Sequence, residues 1–497
     1  MRTRHIADRY REPSIPQSPI IHWFRQDLRL ADNPALTAAV ATGRPVVALY
    51  VLDDETAGQW VPGGASRWWL HGSLAALGRA LADCGGRLVL RRGPARRVVA
   101  EVVEETAAEA VFFSRCYEPH AAALEADIAG DLAARGVDCR RFGGGLLFEP
   151  EAVRTKAGGP FRVFTPYYKA CLERTPPKAP LPAPGVIPAP DSGPGGEALE
   201  DWRLLPTTPD WAGGLRAAWT PGEAGAQGRL QAFMDHAMAG YKDRRNRPDV
   251  AGTARLSPHL HFGEIGPRQV WHAVEARLAA GGGAGEGGAR SFLRELVWRE
   301  FSHHLLHHWQ DLPTAPFRPD FADFPWADDD DGLAAWQRGR TGYPIVDAGM
   351  RELWHTGWMH NRVRMITASF LVKDLMVPWQ AGEAWFWDTL VDADLANNAA
   401  SWQWVAGCGA DAAPYFRIFN PVRQGEKFDP DGAYVRHWVP ELAGLTAAYI
   451  HAPWTAPEDV LGQAGVRLGA TYPRPIVDHA AARQRALAAF EGLKKAR

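Results

Sequence analysis

The chain is poor in cysteine and lacks a paired cysteine motif. Its 497 residues include five cysteines, which are odd in number and scattered: Cys84, Cys116, Cys139, Cys171 and Cys408. No Cys-x-x-Cys pair is present, which argues against a disulfide framework, a zinc site and an iron–sulfur cluster. We therefore predict no metal site, and we expect the protein in a reducing cytoplasm.

Signals for membranes and secretion are missing too. Residues 1–18 are rich in arginine but contain no apolar segment of the kind that secretory leaders have. No apolar run is long enough to span a bilayer. The net charge of −2 excludes a general excess of positive charge, which disfavours a non-catalytic DNA-binding protein. A nucleic-acid partner would have to bind at a local basic patch.

The length predicts at least two domains, and the first has the pattern of an α/β fold. Near-continuous apolar runs predict strands that are buried on both faces, at 46–52, 87–90 and 110–113. Helical spacing is found at 66–83, 94–106 and 119–135. This alternation predicts a doubly wound parallel sheet. No Gly-x-Gly-x-x-Gly follows the first strand, so dinucleotide binding of the Rossmann type is not expected there.

The rest of the chain is predicted to be a linker and a helical region. Recurrent proline and glycine from about 176 to 214 predict a long linker that wraps between the domains. From about residue 222 the apolar spacing is mostly helical. The predicted helices are 228–239, 267–280, 289–308, 345–357, 362–373 and 481–495.

Tryptophan is abundant, with 21 residues. Between Trp354 and Asp429 it is interleaved with arginine, asparagine and aspartate in the segments 357–365 (GWMHNRVRM), 392–398 (DADLANN) and 401–404 (SWQW). A packing core would use Leu, Ile and Val instead, so the mixture suits a site for a polar aromatic cofactor. These segments resemble the flavin pocket of the photolyase/cryptochrome family. The resemblance covers nearly the whole chain, because it includes 21–30 (IHWFRQDLRL), 419–421 (FNP) and 425–429 (GEKFD).

The resemblance implies an architecture and an activity. It implies an α/β antenna domain at 19–149, an interdomain linker at 150–221, and an all-α domain at 222–497 that binds flavin adenine dinucleotide (FAD). The implied activity is that of a bacterial photolyase of class I or class III, which repairs cyclobutane pyrimidine dimers in DNA by electron transfer from photoexcited reduced FAD. The alternative is a cryptochrome-type blue-light photoreceptor without repair activity. A cytoplasmic, nucleoid-associated monomer is expected.

The family motifs also imply which residues contact FAD. Hydroxyls and backbone N–H groups at a helix start bind phosphate oxygens, and residues 253–257 match the family's pyrophosphate clasp. Arg364 and Asp392 match a pair beside the flavin ring, where the arginine stabilises negative charge on the reduced ring. The full implied set is Tyr241, Thr253, Ala254, Arg255, Leu256, Ser257, Arg299, Arg364, Asp392, Ala393, Asp394 and Asn398. Taken alone, Thr253 and Ser257 would more often be helix caps.

Asn398 matches the family position that faces flavin N5. Photolyases have Asn there, whereas many signalling cryptochromes have Asp or Cys. Asn398 precedes Trp402 by four residues, so both share one face of a helix. Trp402, Trp379 and Trp326 match the family's electron relay, in order from the flavin to the surface. The alternative is that they are three ordinary core tryptophans.

Other motif residues imply a pocket for a flipped lesion, a step that photolyases share with other base-flipping enzymes. The resemblance implies catalytic roles for Glu295, Asn361, Met365 and Asn398. It implies DNA contacts for Arg245, Glu295, Trp298, Arg362, Trp404 and Gln424, with the two tryptophans stacked on the pyrimidines. The alternative for Glu295 is an ordinary ion pair with Arg299, four residues on along the same helix face.

Asn361 also bears on the type of lesion. In the family, repair of (6-4) photoproducts relies on a histidine where Asn361 stands, so Asn implies cyclobutane dimers. Against the photoreceptor alternative stand Asn398 and the set of Glu295, Asn361 and Arg362. The chain also ends soon after the predicted helix at 481–495, without a long signalling tail.

The antenna chromophore is the least defined part. The Asn-Glu folate ligands of one family pattern are missing, because Tyr117-Glu118 is followed by Pro-His-Ala. Residues 147–150 are closer to the subgroup that resembles plant cryptochromes, in which a glutamate holds a pterin. Methenyltetrahydrofolate held by Glu149 is favoured, and a deazaflavin or no antenna are the alternatives.

Overall fold

The computed structural model describes residues 18–174, 176–283, 285–412 and 416–495. An α/β lobe is built on a five-stranded sheet in the order β3-β2-β1-β4-β5, and all neighbouring strands are parallel. The strands are β1 (Ile20–Phe24), β2 (Val46–Leu52), β3 (Leu88–Arg92), β4 (Ala110–Ser114) and β5 (Asp138–Phe142). The predicted doubly wound parallel sheet is therefore confirmed.

Burial explains why these strands could be read from the sequence. Every residue of β1 and β4 is buried, because helices cover both faces of the sheet, and parallel strands in such a position are continuously apolar. The covering helices are α1 (Pro34–Ala41), α2 (Gly64–Asp83), α3 (Ala95–Thr106) and α4 (Pro119–Ala134). Two strands were not among those predicted. Strand β1 is short and was named only as part of a family motif. Strand β5 lies at the edge, and its sequence, DCRRF, is mostly exposed.

A helical lobe follows, as the sequence predicts. Before its main body come α5 (Phe164–Leu172) and α6 (Gly213–Ala218). Its first half contains α7 (Glu223–His236), α8 (Tyr241–Arg244), α9 (Ser257–His261), α10 (Pro267–Ala280), α11 (Glu286–His308) and α12 (Asp330–Gln337). Its second half contains α13 (Pro344–Thr356), α14 (Asn361–Ser369), α15 (Trp379–Thr389), α16 (Leu395–Ala406), α17 (Pro421–Phe428), α18 (Ala433–Trp438), α19 (Glu458–Gln463) and α20 (His479–Lys495).

Most predicted helices are confirmed, with two differences. Helix α10 has the predicted bounds, but the helix predicted at 228–239 begins earlier, at Glu223, and ends at His236. The helix predicted at 362–373 is α-helical only to Ser369 and continues as a wider π-helical turn, Phe370–Leu375. Apolar spacing does not distinguish these two helix types, so the change could not be predicted.

The proline-rich segment packs along the α/β lobe. The carbonyl of Pro188 accepts a hydrogen bond from the N–H of Val46 at 2.6 Å, and the carbonyl of Leu181 accepts one from Asp32 at 2.8 Å. The backbone carbonyl groups of this segment therefore accept hydrogen bonds from the α/β lobe. Between 150 and 221 the chain also contains α5 and α6, so this region is more structured than a plain linker, and the domain bounds remain a prediction.

A buried carboxylate ties the two lobes together. Glu264 is fully buried and accepts hydrogen bonds from the indole of Trp69 at 3.0 Å and from the N–H of Gly222 at 2.6 Å. It also accepts from the hydroxyl of Ser73 and pairs with His259. Trp69 and Ser73 belong to α2, so this carboxylate fixes α2 against the helical lobe. Unpaired, a buried charge of this kind would be strongly destabilising.

A buried lysine lies inside the helical lobe. Lys373 is fully buried within the π-helical turn, its amino group donates to the carbonyl of Ala406, and it lies over the ring of Phe416 at 2.9 Å from the centroid. Burial lowers the pKa of Lys373 well below its usual value. Its folded-state pKa is therefore lower than the pKa of a lysine in the unfolded chain, and stability rises with pH between the two values.

We predict that Lys373→Met removes this pH dependence. The free energy of unfolding of the unchanged protein should rise relative to the variant by up to about 1.4 kcal/mol per pH unit as pH increases toward 10. Denaturant melts from pH 7 to 10 measure it. The exposed Lys156→Met serves as a control that should show no such trend. Parallel pH curves for Lys373→Met and the unchanged protein would contradict the prediction.

Candidate active site

A central cavity of about 720 Å³ lies in the helical lobe. Its volume is in the range typical of cofactor sites, roughly 300–1,000 Å³. It brings together residues that the sequence places more than a hundred positions apart. The predicted site residues in its wall are Tyr241, Arg245, Thr253, Ala254, Arg255, Leu256, Ser257, Glu295, Trp298, Arg299, Asn361, Arg362, Arg364, Met365, Asp392, Ala393, Asp394, Asn398, Trp402 and Trp404.

The predicted phosphate clasp forms one part of this wall. The chain turns at Arg255, which has a left-handed φ of 51°, and α9 then begins at Ser257, as expected for a clasp at a helix start. Such a φ is uncommon for a residue with a Cβ. The guanidinium of Arg255 lies over the rings of Trp219 and Trp358, 5.0 and 4.3 Å from their centroids. The stacking holds the strained turn that carries the Thr253 and Ser257 hydroxyls.

Arg364 and Asp392 form the predicted ion pair. Nη2 of Arg364 lies 3.0 and 2.8 Å from the two carboxylate oxygens of Asp392. The guanidinium also donates through Nε to the carbonyl of Met359 at 2.8 Å. Three hydrogen bonds therefore fix a positive group in the wall of the cavity, where it can stabilise a negatively charged ring.

Asp394 has partners that the sequence analysis missed. Its carboxylate accepts from the backbone N–H of Asn397 at 2.8 Å, which caps the start of α16. It also lies 3.6 Å from Nδ1 of His261 and 3.5 Å from Nε2 of His303. Burial alone would raise the pKa of Asp394, but the two histidines hold it well below its usual value. Helical spacing could have found His303, because Glu295, Arg299 and His303 follow one another at intervals of four.

Asn398 lies on the buried face of α16, in the cavity wall. Its amide nitrogen donates to the backbone carbonyl of Glu383 at 3.0 Å. The Glu383 side chain is itself 1% exposed, and burial raises its pKa to about 9. A neutral carboxylic acid therefore lies beside the helix that carries Asn398. Nothing in the sequence pattern singles out Glu383, since it sits in an ordinary amphipathic helix.

The three predicted relay tryptophans differ in burial as the relay requires. Trp402 lines the cavity and is 2% exposed, and Trp379 is 1% exposed. Trp326 is partly exposed and packs on Phe324 with ring centroids 4.4 Å apart. All three belong to one apolar cluster of the helical lobe. Trp336, which the sequence analysis did not single out, also touches Trp402, at 6.1 Å.

Glu295 has a different partner from the one weighed in the sequence analysis. It forms an ion pair with Arg245 of α8, whereas Arg299 donates to the carbonyl of Gly145 at 3.0 Å and lies near Glu300. The ordinary Glu295–Arg299 pair is therefore not formed. Arg299 instead connects the cavity wall to the loop that follows β5.

The other predicted DNA contacts also line the cavity. Trp298 stacks on Phe164 with ring centroids 3.6 Å apart and an interplanar angle of 9°. The indole of Trp404 donates to the carbonyl of Asp411 at 3.1 Å. Arg362 donates to the side-chain oxygen of Asn246 at 2.9 Å. Each aromatic ring is thus held in place by the protein before a ligand arrives.

Besides Trp379 and Trp326 of the predicted relay, two predicted residues lie outside the cavity wall. Gln424 is on α17, and its side-chain oxygen is buried without a hydrogen-bond partner among the described residues. Glu149 lies after β5, where it accepts from Arg115 at 2.9 Å and from the hydroxyl of Tyr117 at 3.0 Å. Burial raises the pKa of Glu149. In the described ranges no group of three or more His, Cys, Asp or Glu could hold a metal ion.

Comparison with known proteins identifies the family. The model for DNA photolyase matches residues 20–185, and the model for the FAD binding domain of DNA photolyase matches residues 292–492. The chain is 51% identical to deoxyribodipyrimidine photo-lyase of Agrobacterium fabrum, over 97% of this chain and 99% of the relative. The chain belongs to the photolyase/cryptochrome family. This photolyase-family chain is also 41% identical to cryptochrome-1 of Arabidopsis thaliana, over 93% of this chain and 69% of that one.

A solved structure agrees with this assignment. The bacterial class III photolyase from Agrobacterium tumefaciens superposes with a TM-score of 0.94 at 51% identity, over 97% of this chain and 99% of the other. The match extends across both lobes. The predicted fold and the FAD-binding domain are confirmed.

The cavity of this photolyase-family chain has a donor set that fits FAD. The Thr253 and Ser257 hydroxyls suit phosphate oxygens, and the Arg364 guanidinium suits a ring that carries negative charge. Leu296 and Phe292 add apolar surface between these polar ends. A few convergent polar groups in a mostly apolar wall are what a cofactor site requires.

We predict a pH-dependent effect of Glu383→Gln. The raised pKa means that the folded protein keeps Glu383 protonated while the unfolded chain loses the proton above its ordinary pKa. Stability from this group is therefore present at low pH and lost as pH rises toward 9. Glutamine removes the effect, so the variant should gain stability over the unchanged protein by about 1 kcal/mol per pH unit from pH 6 to 9. Melts followed by flavin fluorescence measure this.

The matched control is Glu458→Gln, which changes an exposed carboxylate at the start of α19. It should follow the unchanged protein at every pH. If Glu383→Gln does the same, Glu383 is ionised in the folded protein and the prediction is wrong.

Proposed function

We propose that the protein repairs cyclobutane pyrimidine dimers in DNA with light, as a deoxyribodipyrimidine photo-lyase. One observation carries the proposal: a single cavity joins the predicted FAD contacts to the predicted lesion contacts. Electron transfer to a lesion needs both in one place. The relative named deoxyribodipyrimidine photo-lyase, at 51% identity, supports the same reaction.

FAD, when bound, supplies the light absorption and the transferred electron, and the protein supplies placement and charge. Thr253 and Ser257 would hold the phosphates. The Arg364–Asp392 pair would offer a fixed positive group to the flavin ring, and Asn398 would supply an amide that cannot readily give up a proton. These groups need little rearrangement, because each is already held by protein contacts.

The lesion would enter the cavity beside α11 and α14. Trp298 and Trp404 provide flat apolar surfaces for the two pyrimidines, while Asn361 and Met365 line the inner wall. Glu295 then exchanges its pairing with Arg245 for a hydrogen bond to the flipped bases. This exchange frees Arg245 for a backbone phosphate, a contact that positions DNA without reading its sequence.

The basic patch that DNA binding requires is local. Arg362 lies near Arg245 and Arg417, and its pKa is lowered by burial and by these two charges. Gln424 on α17 extends the patch beyond the cavity. A cluster of arginines of this kind favours the binding of a polyanion, because the phosphates of the polyanion neutralise the repulsion between the arginines.

The relay would deliver electrons to FAD from the surface. Trp326 is partly exposed, Trp379 is buried, and Trp402 is buried in the cavity wall. Burial keeps the indoles of Trp379 and Trp402 rigid. The gradient from exposed to buried supports a direction of electron flow toward the flavin.

The photoreceptor alternative is less well supported. Cryptochrome-1 of Arabidopsis thaliana is 41% identical, against 51% for the photo-lyase relative. Asn398, Glu295 and Asn361 all lie in the cavity wall, where repair needs them. Because class III is the class of the structural relative from Agrobacterium tumefaciens, we propose class III for this chain.

For the antenna we propose methenyltetrahydrofolate beside Glu149. This carboxylate lies near the loop that Arg299 and Glu300 connect to the FAD cavity, a short route for energy transfer. The protein would act as a monomer on DNA in the cytoplasm, at the nucleoid. In the described residues no helix is long and apolar enough to cross a membrane.

We predict that Trp402→Phe blocks photoreduction of oxidised flavin by an external reductant. Phenylalanine fills the space but is much harder to oxidise than an indole. Chemically reduced enzyme should still repair dimers at the normal rate. Flavin absorption during blue illumination measures the first effect, and Trp336→Phe is the control, since Trp336 touches Trp402 without belonging to the relay. Photoreduction at the normal rate in Trp402→Phe would remove the relay assignment.

We also predict that Glu295→Ala lowers the repair yield per absorbed photon severalfold at saturating dimer. In the proposed complex Glu295 has taken up a proton and donates it in a hydrogen bond to an oxygen of the dimer. That bond strengthens as the dimer accepts an electron, and such bonds lower the barrier rather than merely improve binding. FAD content should be unchanged, because the clasp is intact.

The control is Arg290→Ala, which alters an exposed residue of the same helix. Equal yields for Glu295→Ala and Arg290→Ala would reduce Glu295 to a binding or structural role. If neither variant nor the unchanged protein repairs dimers, the proposed function itself is wrong.

A further inference from the structure

A second cavity, the lateral cavity, lies beside the FAD cavity and has a volume of about 660 Å³. Thr253, Arg255 and Trp358 belong to the walls of both cavities. The remaining wall residues lie on α6, α7, α13 and α18, in the loop 248–251 and at His360. A volume of this size suits a small molecule.

Two arginines in this wall have no carboxylate partner among the described residues. Arg229 donates only to the carbonyl of Ala218, at 3.2 Å, and lies over the ring of Trp219. Arg255 lies between Trp219 and Trp358, and its Nε is buried without a hydrogen-bond partner. Guanidinium groups are always charged and present several donors to oxyanions. The lateral cavity therefore has two cations with unused donors.

A buried histidine adds a third unused donor. His360 is 3% exposed and lines the lateral cavity but not the FAD cavity. Its Nδ1 accepts from the backbone N–H of Arg362 at 3.1 Å, so the ring proton is on Nε2. Nε2 has no partner in the described part of the chain. A buried N–H without a partner is costly unless a ligand or water satisfies it.

The negative groups in the wall are already engaged. Asp249 pairs with Arg247 through two hydrogen bonds, of 2.7 and 2.5 Å. Glu352 accepts from the hydroxyl of Tyr434 at 2.6 Å and from the N–H of His360 at 3.2 Å. Arg247 neutralises Asp249, whereas the donors to Glu352 are neutral and Glu352 is close enough to act on the charge of Arg255. The two arginines together outweigh this one carboxylate, so the cavity wall has a net positive charge.

We propose that the lateral cavity binds a small compound through an oxyanion, a phosphate or carboxylate group held by Arg229, Arg255 and His360. The site lies beside the FAD clasp, and Thr253 and Arg255 form part of the wall between the two cavities. Arg255 is also a predicted FAD contact, whereas Arg229 and His360 take no part in the proposed repair reaction.

Binding in the lateral cavity should be sensed at the flavin. Arg255 and Arg364 lie over the same indole, that of Trp358, at 4.3 and 5.9 Å from its centroid. An anion beside Arg255 reduces the positive potential at this ring, which Arg364 also contacts. A small shift of the flavin absorption bands should therefore accompany binding.

The test uses FAD-loaded protein and two probes, pyrophosphate and citrate, in titration calorimetry at low salt. At least one probe should bind more tightly than about 1 mM. Arg229→Gln should weaken that binding by about tenfold or more, because a hydrogen bond to a charged group is lost. Arg216→Gln is the matched control, since Arg216 is on the neighbouring α6 but pairs with Asp210. It should bind the probe as the unchanged protein does.

The outcomes separate the possibilities. Binding of pyrophosphate alone assigns the site to phosphates, and binding of citrate alone assigns it to carboxylates. Binding of neither probe, or equal binding by Arg229→Gln and the unchanged protein, overturns the proposal. Release of FAD by the probe, or displacement of the probe by dimer-containing DNA, would place it in the FAD cavity and also overturns the proposal.

Discussion

The site depends on one buried carboxylate. Asp394 caps the start of α16, which carries Asn398 and Trp402, and it lies between His261 of α9 and His303 of α11. Those three helices carry residues that are predicted for the electron relay, the phosphate clasp and the lesion pocket. Removing the carboxylate would leave two buried histidines and a helix end without their partner, a loss of several interactions at once. The geometry of the cavity follows from this contact more than from any single apolar cluster.

The basic patch of this molecule depends on how charged side chains are paired, and not on an excess of positive residues. The chain has a net charge of −2, yet Arg245, Arg362 and Arg417 are close enough to influence one another. The pairing of Arg245 with Glu295 keeps this patch stable without DNA. In the proposed function Glu295 contacts the lesion and Arg245 a phosphate, so their pairing would couple the two contacts.

The strands, helices and site residues that could be predicted are those with a pattern in the neighbouring sequence. Strand 46–52 and helix 267–280 have the predicted bounds, because one is continuously apolar and the other is capped by proline at its start. All but four of the site residues assigned from family motifs lie in the cavity wall. Partners that are remote in sequence were not predictable: the Arg245–Glu295 pair spans 50 positions, and His261 and Glu383 have no pattern of their own. The edge strand β5 was missed for a different reason: an exposed edge strand needs no apolar pattern, so its sequence has no strand signal.

Glu264 has a consequence for synthesis on the ribosome. Its partners Trp69 and Ser73 precede it by 195 and 191 residues. At about 5–20 residues per second, roughly 10–40 s pass between the emergence of α2 and the arrival of this carboxylate. During that interval the face of α2 that will contact the helical lobe is uncovered. The hydrogen bonds from Trp69 and Ser73 to Glu264 cannot yet form. The nascent α/β lobe is therefore exposed to misassociation on that face until more than half of the chain has been made.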